Sequence, residues 1–383
     1  MFLPAEDLPR LVALRHALHQ HPEVSGEERE TARRVADFLR DHARPDALLT
    51  GLGGHGVAAV YAGAAPGETL LLRCELDALP IEEHSTAAHR SRIPGKGHLC
   101  GHDGHATILT AVATALARAR PARGRVVLLF QPAEEDGSGA AAVIADPAFA
   151  PLRPDMALSL HNMPGLALGH AELKAGPVNC ASRGLRLQLT GRTAHASQPE
   201  TGVSPMQAVA GLMPALTALS CGTQADQGFR LVTVTHARLG EPAFGIAPGA
   251  AEIWVTLRTL TDAGMADLCA SAEGLARQVA EQAGLGLAMT WHDIFHHCEN
   301  APEAVAVLAA ALDAEGIPWS AGSLPMRASE DFGRFGALCP SAMVFLGAGE
   351  TRPALHNPDY DFPDALIAPA ANLLLRAVLQ RLG

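Results

Sequence analysis

The sequence predicts an α/β protein with a smaller α+β domain set into it, and three observations predict it. Short apolar runs at 68–73, 125–130, 156–160 and 342–346 each read as a buried strand leading toward polar, chemically capable residues. Between 182 and 292 the pattern changes to half-buried strands and longer helices in β-α-β-β-α-β order, the ferredoxin-like arrangement. At 383 residues the chain is also longer than one hydrophobic core covers, about 250–300 residues. The expected division is a larger domain in two pieces, 1–181 and 293–383, with the insert at 182–292.

Taken in order, residues 8–42 read as helix, with Leu11, Leu14 and Leu18 and later Val35, Phe38 and Leu39 at helical spacing. Pro22 disfavours helix at the residue before it and interrupts the run. Val57 to Tyr61 is a short strand, and Glu68 to Arg73 a buried one that ends in Cys74-Glu75-Leu76-Asp77. Ala106 to Ala117 is strongly helical. Arg125 to Phe130 runs into Gln131-Pro132-Ala133-Glu134-Glu135, Met156 to Leu160 delivers His161, and His356 follows the run at 342–346. In the insert, strands are expected at 185–189, 229–237, 251–257 and 285–291, with helices at 205–219 and 262–283.

A net charge of −11 without a long basic run argues against nucleic acid or an anionic membrane as partner. No apolar stretch approaches about 20 uncharged residues, so no membrane span is expected. Glu6 and Asp7 stand where a signal peptide would be basic and then apolar. Seven scattered cysteines suit a reducing compartment better than a disulfide framework, and a cytoplasmic location is expected.

The densest chemistry lies in His98-Leu99-Cys100-Gly101-His102-Asp103-Gly104-His105. Three histidines, a cysteine and an aspartate stand on a glycine-flanked loop that a helix pins in place, which reads as a metal corner rather than a loop with incidental histidines. Cys100 and His102, two apart, are expected to point the same way from an extended segment. Glu134-Glu135 is the second signal. Adjacent carboxylates repel unless something holds their charge, and a divalent cation does so. Because neighbouring side chains diverge, one can bind metal while the other faces water as a base. Sites in open α/β sheets form where strand carboxyl ends open into loops. That rule gathers Asp77, Cys100, His102, Glu134, Glu135, His161 and His356 along one sheet edge.

Seven segments occur in order: Arg73–Pro80, Gly97–His105, Gln131–Glu135, His161–Gly165, His195–Pro199, Glu330-Asp331-Phe332 and Leu355–Pro358. Together they resemble the aminoacylase-like metallopeptidase amidohydrolases, the group of hippurate hydrolases, N-acetyl-diaminopimelate deacetylases and auxin-conjugate hydrolases. The resemblance runs from about Leu11 to Ala365. It implies a zinc-peptidase-like α/β/α catalytic domain and an inserted lid that dimerises. It further implies two divalent metal ions, Mn2+ or Zn2+, held by Cys100, His102, Glu135, His161 and His356. Glu134 is then the general base and Asp77 an orienting carboxylate behind the metals. The resemblance gives His195 the role of hydrogen-bonding the scissile carbonyl in a neighbouring subunit, and Arg258 that of binding the substrate carboxylate. His19, His21, His105, His236, His296 and His297 receive no role.

Two positions depart from the family pattern. Glu75 stands where relatives have aspartate. Gly245-Ile246-Ala247-Pro248 stands where they have an Asn-x-Ile-Pro turn, whose asparagine amide helps hold substrate. Glycine there is expected to open backbone angles closed to asparagine and to free volume beside Arg258. The expected activity is hydrolysis of an N-acyl amino acid to a carboxylic acid and a free amino acid. The rivals are a dipeptidase, an N-carbamoyl-amino-acid hydrolase, and a catalytically silent relative that binds metal and ligand.

Overall fold

The four apolar runs form the centre of an eight-stranded sheet. In the computed structural model, which describes residues 2–383, its order is Ala47–Leu52, Gly56–Ala62, Arg123–Gln131, Ala65–Glu75, Met156–Pro164, Ser341–Gly349, Ala171–Glu172 and Trp319–Ser320. The central four are parallel, and the first two pair antiparallel at one edge. Strands buried on both faces carry continuous rather than alternating apolar residues, which is why these runs stand out in the sequence. Strand Ala47–Leu52 is mostly exposed and the two outermost strands are two residues long, so periodicity does not reveal them.

The chain divides into two compact units. The larger comprises residues up to Val178 with Glu299–Leu324 and Asp331–Gly383, and the smaller comprises Asn179–Cys298 with Pro325–Glu330. The smaller unit thus starts and ends a few residues outside 182–292, because its first strand already begins at Ala181 and its last runs to Phe295. It also takes in the return segment Pro325–Glu330, tied on by the Cys180 amide donating to the Ala328 carbonyl at 3.0 Å.

In the larger unit, Leu70, Leu72 and Cys74 enter the main core with Val126, Leu128 and Phe130. Against them pack Leu8–His19, His102–Arg118, Pro302–Glu315 and Ile367–Leu382. Because strand side chains alternate, Leu71 and Arg73 fall on the opposite face. The stretch Asp364–Leu382 is 19 residues long and apolar enough by length and composition to cross a membrane, but it carries Asp364, Arg376 and Arg381 and more than half of it is buried. Its Ile367, Ala370, Leu374 and Val378 are buried in the core, as in a central helix. The long helical run at 8–42 is two helices, Leu8–His19 and Arg29–Phe38, parted around Pro22.

The smaller unit has a four-stranded antiparallel sheet in the order Arg230–Leu239, Ala250–Thr259, Ala181–Thr190, Gly286–Phe295. Helices Met206–Thr217 and Asp262–Gln282 supply Leu212, Leu216, Met265 and Leu268 to its core, which also holds Leu185, Leu187 and Leu189. This is the β-α-β-β-α-β order that the insert's rhythm predicts.

An ion network anchors the helix that begins at His102. Arg15 is fully buried and donates to Asp103 at 3.0 Å and Asp361 at 2.9 Å, with Asp364 also paired to it. His19 bridges Asp103 at 2.9 Å and Glu83 at 3.2 Å. Burial alone would lower the His19 pKa, but these carboxylates push it up to about 10. Removing one partner of a buried pair leaves the other charge uncompensated, at a cost of about 3–5 kcal/mol. Arg15→Met is therefore expected to lower unfolding stability by about that amount in a urea titration. A loss below about 1 kcal/mol would show that the network does not hold this helix.

Candidate metal centre

Gly101 sets the geometry. Its φ of 95° turns the chain between Cys100 and His102, and an added Cβ would meet the Asn162 side-chain oxygen at 2.3 Å. Only glycine satisfies both conditions. His102 is accordingly the first residue of the helix His102–Arg118, four residues earlier than the apolar pattern suggests. Cys100 and His102 therefore converge through a left-handed turn, not through the extended segment expected from their spacing.

The other candidates arrive from strand ends. Met156–Pro164 brings His161, whose Nε2 lies 3.6 Å from the Cys100 sulfur. Glu134 and Glu135 follow strand Arg123–Gln131, with Ala133 before them at a positive φ of 50°. His356, at φ 67°, donates its amide to the Leu99 carbonyl at 2.8 Å, tying its turn to the loop that carries Cys100. Such left-handed non-glycine backbone is costly and concentrates at sites that hold it in place. The His356 ring comes within 3.6 Å of Glu135.

Two triplets share Cys100: Cys100–His102–His161 and Cys100–Glu135–His356, each with its ligand atoms within 4.8 Å of one another. A third, His102–Glu134–Glu135, overlaps both. All five sequence-predicted ligands are thus brought together in the larger unit, with Glu134 beside them. Asp77 stands behind. It accepts from Ser25 at 2.8 Å and from the Glu135 amide at 2.9 Å, and lies 3.3 Å from His102 Nδ1. Sequence reading missed Ser25, as it missed Tyr360, which donates to the Asn162 oxygen while the Asn162 amide donates to the Cys100 carbonyl at 2.8 Å. Single hydroxyls and amides at such positions carry no periodic or spacing signal.

The donor set fits a divalent cation. His102 Nε2 is buried with no hydrogen-bond partner, and its Nδ1 is already engaged by the Asp77 carbonyl at 2.9 Å. His161 donates Nδ1–H to the Asn162 carbonyl at 2.8 Å, leaving Nε2 as an electron-pair donor. Imidazole, thiolate and carboxylate are ligands for zinc, and imidazole and carboxylate for manganese. Burial, with His105 nearby, pushes His161 down to about 3, so it is neutral. Burial also lowers His102, but Asp77, Glu75 and Glu135 outweigh it and push the pKa up to about 10. Burial and the two adjacent glutamates drive the Cys100 thiol well above its ordinary value.

The remaining histidines and the Glu75 departure also find places. Glu75 reaches between Arg73 and His105, accepting from His105 Nδ1 at 2.7 Å, while His105 Nε2 accepts the Asn162 amide at 3.1 Å. His296 and His297 pair with Asp262, and His236 lies edge-on to Trp254. His195 and Arg258 lie in the smaller unit. His195 is exposed, on a two-residue strand paired with Ile246–Ala247. Arg258 donates to the Arg327 carbonyl at 3.0 Å and to Ser329 at 2.6 Å. Gly245 does not adopt a left-handed conformation, which corrects the expectation of special backbone angles; a Cβ there would meet open space.

Comparison with known proteins agrees with this geometry. A family profile described as Peptidase family M20/M25/M40 matches residues 71–380. The chain belongs to Peptidase family M20/M25/M40. It is therefore a hydrolase acting on amide bonds. It is 30% identical over 369 residues to an N-acetyl-L-cysteine deacetylase of Bacillus subtilis, covering 95% of this chain and 86% of that protein. It is also 30% identical over 372 residues to a hippurate hydrolase of Campylobacter jejuni, covering 96% of each. A solved putative aminohydrolase from methicillin-resistant Staphylococcus aureus superposes with a TM-score of 0.86 at 26% identity, covering 99% of this chain and 97% of that one. A Bacillus subtilis dinuclear metal binding peptidase of the M20 family superposes with a TM-score of 0.81 at 22% identity over 99% of both chains, a likeness of fold.

The protonation states give a test of metal uptake. A cation entering this site must displace the protons held on His102 and Cys100, since ligands bind deprotonated. Manganese binding followed by calorimetry in buffers of different ionisation enthalpy is expected to release protons at neutral pH. Affinity is expected to rise with pH, because both pKa values are raised. Uptake without proton release would contradict these protonation states.

Proposed function

We propose that the protein is a metal-dependent amidohydrolase that cleaves N-acyl amino acids to a carboxylic acid and a free amino acid. The observation that carries the reading is the pair of ligand triplets sharing Cys100, with a further buried carboxylate, Glu134, beside them. Two divalent ions, manganese or zinc, are held by Cys100, His102, Glu135, His161 and His356. When bound, such ions polarise the amide carbonyl and acidify water. The two relatives named above, an N-acetyl-L-cysteine deacetylase and a hippurate hydrolase, support the substrate class.

The chain's own residues then divide the work. Glu134 takes a proton from water as its oxygen adds to the acyl carbon. It returns that proton to the amide nitrogen as the carbon–nitrogen bond breaks, and the amine leaves neutral. Asp77 holds the His102 ring and the Glu135 backbone in position. Arg258 pairs with the substrate carboxylate, and His195 hydrogen-bonds the acyl oxygen of a substrate bound by a second copy of the chain. The smaller unit is accordingly a lid and dimerisation domain. Open space at Gly245, which accepts from the Ala196 amide next to His195 at 3.0 Å, suits an acyl group bulkier than acetyl. The seven cysteines are all unpaired, which suits a thiol ligand kept reduced in the cytoplasm.

Mass-spectrometric assay on N-acetyl, N-benzoyl, N-carbamoyl and dipeptide substrates is expected to show chelator-sensitive release of free amino acid from the first two classes, restored by manganese or zinc. Glu134→Gln is expected to keep its metals and lose about 10²–10⁴-fold in rate, the ordinary worth of a general base. Glu135→Gln is expected to lose metal. If Glu134→Gln lost metal while Glu135→Gln kept it and lost only rate, the two roles would be reversed. Chelator-insensitive turnover would contradict the proposal as a whole.

A further inference from the structure

The Glu330-Asp331-Phe332 segment has no part in the chemistry described so far, yet Asp331 is among the most heavily bonded carboxylates in the larger unit. It is fully buried and opens the turn Asp331–Ala337. Its Oδ1 accepts from Arg73 Nη2 at 2.6 Å, and both oxygens accept from Gln131 Nε2 at 2.9 Å. Its Oδ2 also accepts from the Ala140 amide at 2.8 Å. Arg73 Nε in turn donates to Gln131 Oε1 at 2.9 Å, which fixes which way the Gln131 amide faces.

These partners share one property. Gln131 and Ala140 are the two ends of the loop that carries Glu134 and Glu135. The loop itself doubles back tightly, since a Cβ on Gly139 would lie 1.6 Å from the Pro132 carbonyl oxygen. The Asp331 carboxylate thus clamps the loop at both ends, and its own backbone N–H points at Glu134 Oε1 at 3.4 Å. The clamp needs a counter-charge, which the buried Arg73 supplies from the adjacent parallel strand.

We infer that Asp331 is a positioning residue for the general base, holding the Glu134 loop in register through Gln131, Ala140 and the Arg73 cation. The inference rests on Glu134 being the base. Asparagine at 331 keeps the backbone N–H and the side-chain size but replaces one acceptor oxygen with an amide group. That group would face the donors of Gln131, Ala140 or Arg73, so the loop must shift. Displacing a reacting group by about 1 Å costs on the order of 10²-fold in rate, whereas ground-state substrate contacts elsewhere are untouched.

The test is a double-mutant cycle on the metal-loaded full chain. Asp331→Asn is expected to lower kcat about 10- to 100-fold, with KM within about twofold and metal content unchanged. Added to Glu134→Gln, it is expected to lower the remaining rate by less than about twofold, because a residue acting through the base has nothing further to lose once the base is gone. An equal proportional loss in both backgrounds would make Asp331 a general structural anchor and overturn the inference. So would loss of metal, a change confined to KM, or an unaltered kcat. Should Asp331→Asn not fold, Gln131→Met, which removes the donor to both Asp331 oxygens, is read in the same cycle with the same expected signature at about 3- to 10-fold. If Glu134→Gln alone retained full activity, the base assignment would fall first and this inference with it.

Discussion

Five carboxylates, Glu75, Asp77, Glu134, Glu135 and Asp331, are folded into one edge of one sheet, and like charges so close and so poorly hydrated cannot stand without cations. The structure answers this constraint in two ways. Toward the interior, the Arg73 guanidinium takes Glu75 and Asp331. Toward the loops, His102 is drawn into its charged form by Asp77, Glu75 and Glu135, a proton standing where we propose that metal charge stands during turnover. The tight glycine turns, the left-handed His356 and the buried Arg15 network are arranged around this charge balance.

The proposed reaction divides its labour between two adjacent glutamates with unlike surroundings. Glu135 meets His356 at 3.6 Å and has its backbone fixed by Asp77. Glu134 is approached by the Asp331 amide on one side and by His102 Nε2, 4.0 Å away, on the other. A carboxylate placed beside the ligand cluster, with its loop fixed from behind, is suited to move a proton back and forth without leaving its place.

Much of this was legible in the sequence because parallel strands buried on both faces are apolar throughout, so the four central strands and the polar residues at their ends stand out from their surroundings. The candidate site residues followed from that, while the choice of Cys100, His102, Glu135, His161 and His356 among them as metal ligands followed from the family resemblance. Helices Pro302–Glu315 and Ile367–Leu382 gave no comparable signal, since a segment such as Ala-Val-Ala-Val-Leu-Ala-Ala-Ala-Leu is apolar on nearly every side. Nor did the return of Pro325–Glu330 to the smaller unit, which rests on contacts between residues far apart in the chain. Ser25 and Tyr360 were unreadable for a related reason, and Asp331, though it stood within one of the seven matching segments, showed no role: each makes one or a few long-range hydrogen bonds. The Cys100–His102 pair was recognised from its composition, but its geometry was misread, because the turn at Gly101 depends on how closely Asn162 approaches.

The central claim is that Cys100, His102, Glu135, His161 and His356 together hold two divalent ions. A crystal structure of the manganese-loaded protein, with anomalous difference maps recorded on either side of the manganese absorption edge, tests it directly. Two neighbouring peaks within bonding distance of these five side chains, with Glu134 adjacent but not required as a ligand, are the predicted result. An absence of peaks there under saturating metal, or ions bound by a different set of residues, would contradict it.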